Sequence, residues 1–178
     1  MGRDRWRVPL PPHLRGKAPR KHWNANALAF LGDSVWELYV RRRFFYPPSA
    51  KDSYFSQVVH HVRAETQEQL YKRLLDRAFL TDAERDVLRW GRNATGVTPK
   101  RLSDTELKRE TYRAATAMEC LCGYLYLSDP ERLHAMMGLL GLGDDDGVEG
   151  GSSGSTAAAA AAASAGEGGN GAMPGSGE

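Results

Sequence analysis

Between residues 23 and 142 the apolar positions recur at helical spacing, and no run alternates apolar with polar as a half-buried strand would. The pattern predicts a first helix from about Asn26 to Phe45, stopped before Pro47-Pro48. A second helical stretch covers about Ser53 to Phe79, with a break near Arg63-Ala64. Thr81-Asp-Ala-Glu84 is a capping-box pattern that opens a short helix to about Trp90. Ser103-Asp-Thr-Glu106 repeats the pattern and opens a long helix to about Leu127. Asp129 before Pro130 supplies a cap and a first-turn proline for a last helix to about Leu142. The expectation is an all-α domain over 23–142, small enough to favour dimerisation.

The flanks differ in composition. Residues 1–22 carry Arg3, Arg5, Arg7, Arg15, Lys17, Arg20 and Lys21 against Asp4 alone, with prolines at 9, 11, 12 and 19. They read as a flexible basic arm, open to a solvated, a nucleic-acid-binding or a targeting role. Residues 143–178 are Gly, Ala, Ser and acid, including the alanine run 157–163, and read as a disordered acidic tail. The formal net charge of +2 therefore hides a basic front half. No apolar run approaches the roughly 20 residues that span a bilayer, and no signal-peptide core follows Met1. A protein that is not secreted and not membrane-bound is expected. Cys120 and Cys122 lie two apart, about 200° around a helix, and read as small core residues rather than a disulfide framework.

Two acids stand out against this background. The first helix carries an apolar stripe of Leu28, Leu31, Val35, Leu38 and Phe45, and beside it Asp33 and Glu37, one turn apart on one face. Gly32 costs such a helix about 1 kcal/mol relative to alanine, which suggests that something approaches its backbone closely. A helix-crossing glycine with an exposed aspartate beside it is the plain alternative. In the long helix Glu119 is the sole acid between Glu110 and Asp129, and Gly123 follows one turn later. Lone acids in apolar helices are rarely buried unless paired, hydrogen-bonded or metal-bound. If the two helices packed through their glycines, Asp33 and Glu119 would meet around a hard cation such as Mg2+. A salt bridge from Arg41 or Arg113 is the alternative. His60 and His61 lack a third ligand at zinc spacing, and Trp23 and Trp36 read as core or interface.

The residues Phe30-Leu-Gly-Asp-Ser-Val35 resemble the signature helix of ribonuclease III, and Met118-Glu-Cys-Leu-Cys-Gly-Tyr-Leu-Tyr-Leu127 resembles its second acidic motif. Ala27 to Arg41, Phe79-Leu-Thr, Gly91-Arg-Asn-Ala94, Pro99-Lys100 and Tyr112-Arg-Ala-Ala-Thr116 are similar, in that order, to the Mini-ribonuclease III branch. That branch has the nuclease domain and no double-stranded RNA-binding domain. The resemblance implies an all-α, homodimeric, Mg2+-dependent endoribonuclease acting on double-stranded RNA, with ribosomal RNA precursor of the large subunit as substrate. It implies Asp33 and Glu119 as catalytic, metal-binding acids and products bearing 5′-phosphate and 3′-hydroxyl. Where full-length ribonuclease III has further acids, this chain has Asn26, Ala29 and Thr116, as the Mini branch does, which leaves one or two metals open. Glu37 is a possible supporting acid.

The segment Trp90 to Arg101 reads as a glycine- and proline-bearing loop rich in phosphate-binding groups, and Arg92, Asn93, Lys100 and Arg101 are its candidate RNA contacts. A solvated connection is the plain reading of it, as a helix-dipole cap is of Arg41-Arg42-Arg43. The rival function is a non-catalytic RNA-binding or ribosome-assembly dimer on the same fold. The cytoplasm or, from the tail's composition, the plastid stroma is the expected location.

Overall fold

The computed structural model describes residues 10–94 and 105–143, and among these the regular structure is entirely helical. A 3-10 turn, Pro19–Lys21, precedes six α-helices: α1 (Ala25–Phe45), α2 (Lys51–Val62), α3 (Ala64–Leu75), α4 (Asp82–Arg92), α5 (Glu106–Ser128) and α6 (Pro130–Leu139). The all-α expectation holds, and the break near Arg63 is real: its backbone is extended at ψ 146° between α2 and α3. The Thr66 hydroxyl then donates to the His60 carbonyl at 2.7 Å and staples the two helices together.

Local capping chemistry sets most of the boundaries. The Asn24 side chain accepts from the Ala27 N–H at 2.8 Å and starts α1. Thr81 and Glu84 form the expected capping box on α4, with both reciprocal bonds present. Asp129 caps α6, its carboxylate accepting from the Arg132 N–H at 3.0 Å. The second expected box does not form as written. Thr105, not Ser103, caps α5 by accepting from the Lys108 N–H at 3.2 Å, and Glu106 turns to Arg109 instead. Ser103 lies outside the described residues. Helix α6 also stops earlier than expected, because Gly141 takes φ +82°, while the Leu142 N–H bonds Met137 O at 2.8 Å and the Gly141 N–H bonds Gly138 O at 3.0 Å. That left-handed closure satisfies the last carbonyls and folds buried Leu142 back onto the helix.

Helix α5 is the axis of the molecule. Its residues from Ala114 to Met118 and from Cys120 to Gly123 are all buried, and α1, α3, α4 and α6 pack around it. Cys120 and Cys122 are core residues as expected, and burial pushes the Cys120 thiol up to about 12. Trp36 is fully buried, its indole N–H donating to His61 O at 3.2 Å, whereas Trp23 is partly exposed.

The inward face of α1 differs from the expected stripe. The buried line is Ala25, Leu28, Ala29, Gly32, Trp36 and Val40, while Leu38 and Phe45 are 48% and 72% exposed. Apolar side chains surround much of this helix, so periodicity alone does not select a face. Selection comes from the small residues, which admit the α5 backbone where leucines would hold it off.

Candidate active site

The crossing of α1 over α5 builds the site. A Cβ added to Gly32 would fall 1.7 Å from the Glu119 carbonyl oxygen and 2.7 Å from the Gly123 nitrogen. One added to Gly123 would fall 2.1 Å from the Leu28 carbonyl oxygen. Two backbones therefore touch with no side chain between them, at a separation only glycine permits on either helix. The residue after Gly32 is Asp33, and the residue opposite Gly32 is Glu119, so this contact sets the two acids beside each other.

Their environments compound the electrostatic cost. Glu119 is pushed up to about 8, first by burial, then by the Asp33 carboxylate, with the Gln67 side chain pulling the other way. Asp33 is also raised, by its own partial burial and then by Glu37. Among the described residues no basic side chain forms an ion pair with either acid. Arg41 turns back one turn to Glu37 at 2.6 Å, and Arg113 reaches Glu110 at 2.9 Å and Glu106 at 3.4 Å. The two arginines that could have neutralised the acids are engaged elsewhere, and the salt-bridge alternative is not what the fold contains.

Adjacent carboxylates with oxygen donors, raised pKa values and no neutralising cation suit a hard divalent ion, which takes oxygen ligands and brings the missing positive charge. Among the described residues no group of three or more His, Cys, Asp or Glu gathers at metal-ligand distance. Two carboxylates are what the described residues offer such an ion, and Mg2+ would complete its shell with waters and substrate phosphate oxygens.

The remaining candidates fall differently. Glu37 lies one turn from Asp33 but gives its carboxylate to Arg41. Arg92, at the end of α4, is held by Glu110 and hydrogen-bonds Tyr71, with its side chain still 42% exposed. Asn93 is exposed at the C-terminal end of the same helix. Lys100 and Arg101, with Thr95 and Thr98, lie outside the described residues. Arg42 and Arg43 donate to the Leu142 and Gly141 carbonyls, where they tie α1 to the end of α6. The basic arm is described from Leu10 onward, where Pro19 is buried and the Arg20 guanidinium lies 4.7 Å from the Trp90 ring centroid.

Gln67, which the sequence pattern did not single out, lies beside the acid pair. It is 1% exposed on the inner face of α3, among Thr66, Leu70, Tyr71 and Leu74, and its side chain lies against Glu119. Its Nε2 makes no hydrogen bond of normal geometry, a deficit that ordinarily costs about 1–3 kcal/mol. A glutamine at the core-facing spacing of Leu70, Tyr71 and Leu74 was the available signal.

Comparison with known proteins places the chain in a family. Residues 26–130 match the Ribonuclease III domain family. A Mini-ribonuclease 3 of a Synechococcus species is 42% identical over 73% of this chain and 93% of its own length. That of Thermosynechococcus vestitus is 44% identical over 64% and 71% of the two chains, and that of Staphylococcus aureus 34% identical over 64% and 84%. The crystal structure of a Fusobacterium nucleatum protein shares the fold, with a TM-score of 0.58 at 23% identity over 70% of this chain and 96% of that one. With its two acids set across a glycine crossing inside the matched segment, the chain belongs to the Mini-ribonuclease 3 branch of the ribonuclease III family of endoribonucleases.

Proposed function

We propose that this endoribonuclease cuts double-stranded RNA as a homodimer in the presence of Mg2+, and that its substrate is a precursor of large-subunit ribosomal RNA. The observation that carries this reading is the pair Asp33 and Glu119, brought together by touching glycines and left without a counter-charge among the described residues. Asp33 and Glu119 would hold the ion, which when bound polarises the phosphodiester and activates water for attack. Both acids must shed their protons to do so, and burial opposes that more at Glu119 than at the more exposed Asp33. Cleavage on this reading leaves a 5′-phosphate and a 3′-hydroxyl, each subunit cutting one strand.

Exposed apolar side chains support the dimer. Phe30 is 82% exposed three residues before Asp33, and Leu38, Phe45 and Leu107 are 48%, 72% and 74% exposed. Large exposed apolar side chains near a functional site are what a partner subunit covers. The RNA is held on this reading by Arg92, Asn93, Lys100 and Arg101, through phosphate and 2′-hydroxyl contacts that follow duplex shape. Arg92 shares its charge with Glu110, and Lys100 and Arg101 lie outside the described residues. The relatives from cyanobacteria, at 44% and 42% identity, exceed the 34% of Staphylococcus aureus, which is compatible with either the cytoplasm or the plastid stroma. No helix among the described residues is long and apolar enough to cross a membrane.

The test is cleavage of a perfect RNA duplex by the full chain with and without Mg2+, alongside Asp33→Asn. Loss of cutting in both cases, with the fold and dimer intact, is expected. Duplex binding without cleavage by the wild-type chain in Mg2+ would favour a non-catalytic RNA-binding dimer instead.

A further inference from the structure

We propose that Gln67 is a positioning residue for Glu119: its Nε2 donates to the Glu119 carboxylate when the site holds its cation, and fixes the orientation that the ion requires. The inference rests on the reading of Asp33 and Glu119 as a cation site. It extends that site to a third helix.

Four observations carry it. Gln67 is 1% exposed, so its amide is shielded from bulk water. Its Nε2 is the buried side-chain polar atom left without a partner among the described residues. Its inner-face polar neighbours are satisfied, Thr66 by the His60 carbonyl and Tyr71 by Arg92. The Gln67 side chain also lies close enough to Glu119 to favour its carboxylate form, although the contact falls short of hydrogen-bond geometry at Nε2. A leucine or methionine would fill this core position with no unpaired donor, so the amide is useful there only if an acceptor reaches it in some state of the protein. A carboxylate that turns to take a cation with one oxygen offers its other oxygen to such a donor, and partners of this kind orient metal-binding groups.

Helix α3 is well placed to hold the amide still. Glu68, the next residue, accepts from the Thr111 hydroxyl on α5 at 2.6 Å and pairs with Lys72 at 2.7 Å. The helix carrying Gln67 is thereby fastened to the helix carrying Glu119. A donor on a rigid element keeps a first-contact group in place more closely than one on a loop.

Gln67→Met in the full chain removes the donor at similar volume, and Gln67→Leu serves as a second variant of the same kind. Calorimetric titration with Mg2+ in the absence of RNA should show affinity weakened about 10- to 100-fold. Duplex cleavage should lose kcat with KM for the RNA unchanged. In a Glu119→Gln background Gln67→Met should weaken cation binding no further, because its effect passes through Glu119. Without cation, both variants should melt no lower than the wild type, since a buried unpaired donor is gone.

Unchanged Mg2+ affinity and kcat in both variants would overturn the proposal. So would an equal additional loss in the Glu119→Gln background, or a marked drop in melting temperature without cation, which would mean that the amide is already satisfied in the fold. A wild-type chain that neither binds Mg2+ nor cuts duplex RNA would instead overturn the functional reading on which this inference rests.

Discussion

Gly32 and Glu119 meet backbone to backbone: a methyl group on the first would lie 1.7 Å from the carbonyl oxygen of the second. The contact is with main chain on both sides, so no flexible side chain can swing away to make room. Alanine at Gly32 should gain about 1 kcal/mol of helix propensity and lose more than that to overpacking, typically about 1–3 kcal/mol and at this distance the upper end or beyond. Gly32→Ala is therefore expected to be destabilised in urea denaturation and to lose cleavage as α1 moves off α5. Gly123→Ala, whose Cβ would meet the Leu28 carbonyl at 2.1 Å, should behave alike. An alanine variant of wild-type stability and activity would show that the helices can separate freely here.

Removing charge from the pair should separate stability from activity. Asp33→Asn and Glu119→Gln are each expected to abolish duplex cleavage, yet neither should destabilise the cation-free fold, because each relieves repulsion that no cation among the described residues compensates. Thermal melting without divalent ions, run beside a cleavage assay, checks both halves. A large fall in melting temperature would indicate that the carboxylates are stabilising contacts rather than stored repulsion.

The pH dependence of stability follows from Glu119. Its carboxyl is raised from an ordinary 4.5 to about 8 in the fold, so between those values the native state holds a proton that the unfolded chain has lost. Stability from this group is greatest below pH 4.5, falls as pH rises through the window, and levels off above about 8. The loss is on the order of a few kcal/mol across the window. Denaturation midpoints of the cation-free protein from about pH 5 to 9 should decline more steeply for wild type than for Glu119→Gln. Equal slopes would contradict the assignment of the raised pKa to Glu119.

Arg132 holds the far end of the molecule together. Its guanidinium reaches buried Glu84 at 2.7 and 2.8 Å and stacks 3.7 Å from the Phe79 ring centroid. Glu84 closes the α4 capping box at the same time, so burial alone would raise its pKa but Arg132 and the Thr81 N–H bring it down. Arg132→Met leaves a buried carboxylate without its cation and should cost about 2–3 kcal/mol, below the 3–5 kcal/mol of fully buried pairs because the arginine side chain is 26% exposed. Cleavage below the melting temperature should persist, since Glu84 lies outside the acid pair. Chemical denaturation and a low-temperature cleavage assay together check this.

Phe30 tests the dimer. With 82% of the residue exposed, Phe30→Glu should leave the monomer fold unperturbed and shift sedimentation toward the monomer. An unchanged dimer would place the interface elsewhere.

Much of this molecule was legible along the chain, because helix starts and stops are local events. Pro47-Pro48, the Thr81–Glu84 box and the Asp129-Pro130 pair act over three or four residues and appear in the fold where the pattern placed them. The second box failed for an equally local reason, since Thr105 offers its hydroxyl two residues later than Ser103. Along α1 the apolar period misled: Leu38 and Phe45 sit at core spacing yet face outward. Hydrophobicity marks surface that some neighbour will cover, without saying whether that neighbour is the same chain or another.

By itself the sequence determined the helices, their caps, and an acid next to a glycine on each of two apolar segments. Only the tertiary structure decided that Gly32 meets Glu119 and Gly123, that Arg41 and Arg113 are drawn away to other acids, and that Gln67 enters from α3 with an unused donor. The reason is physical: helical period and capping are set within a turn or two of chain, whereas the closest approach of two backbones depends on the sizes of side chains far apart in sequence, and that approach is what makes two acids one site.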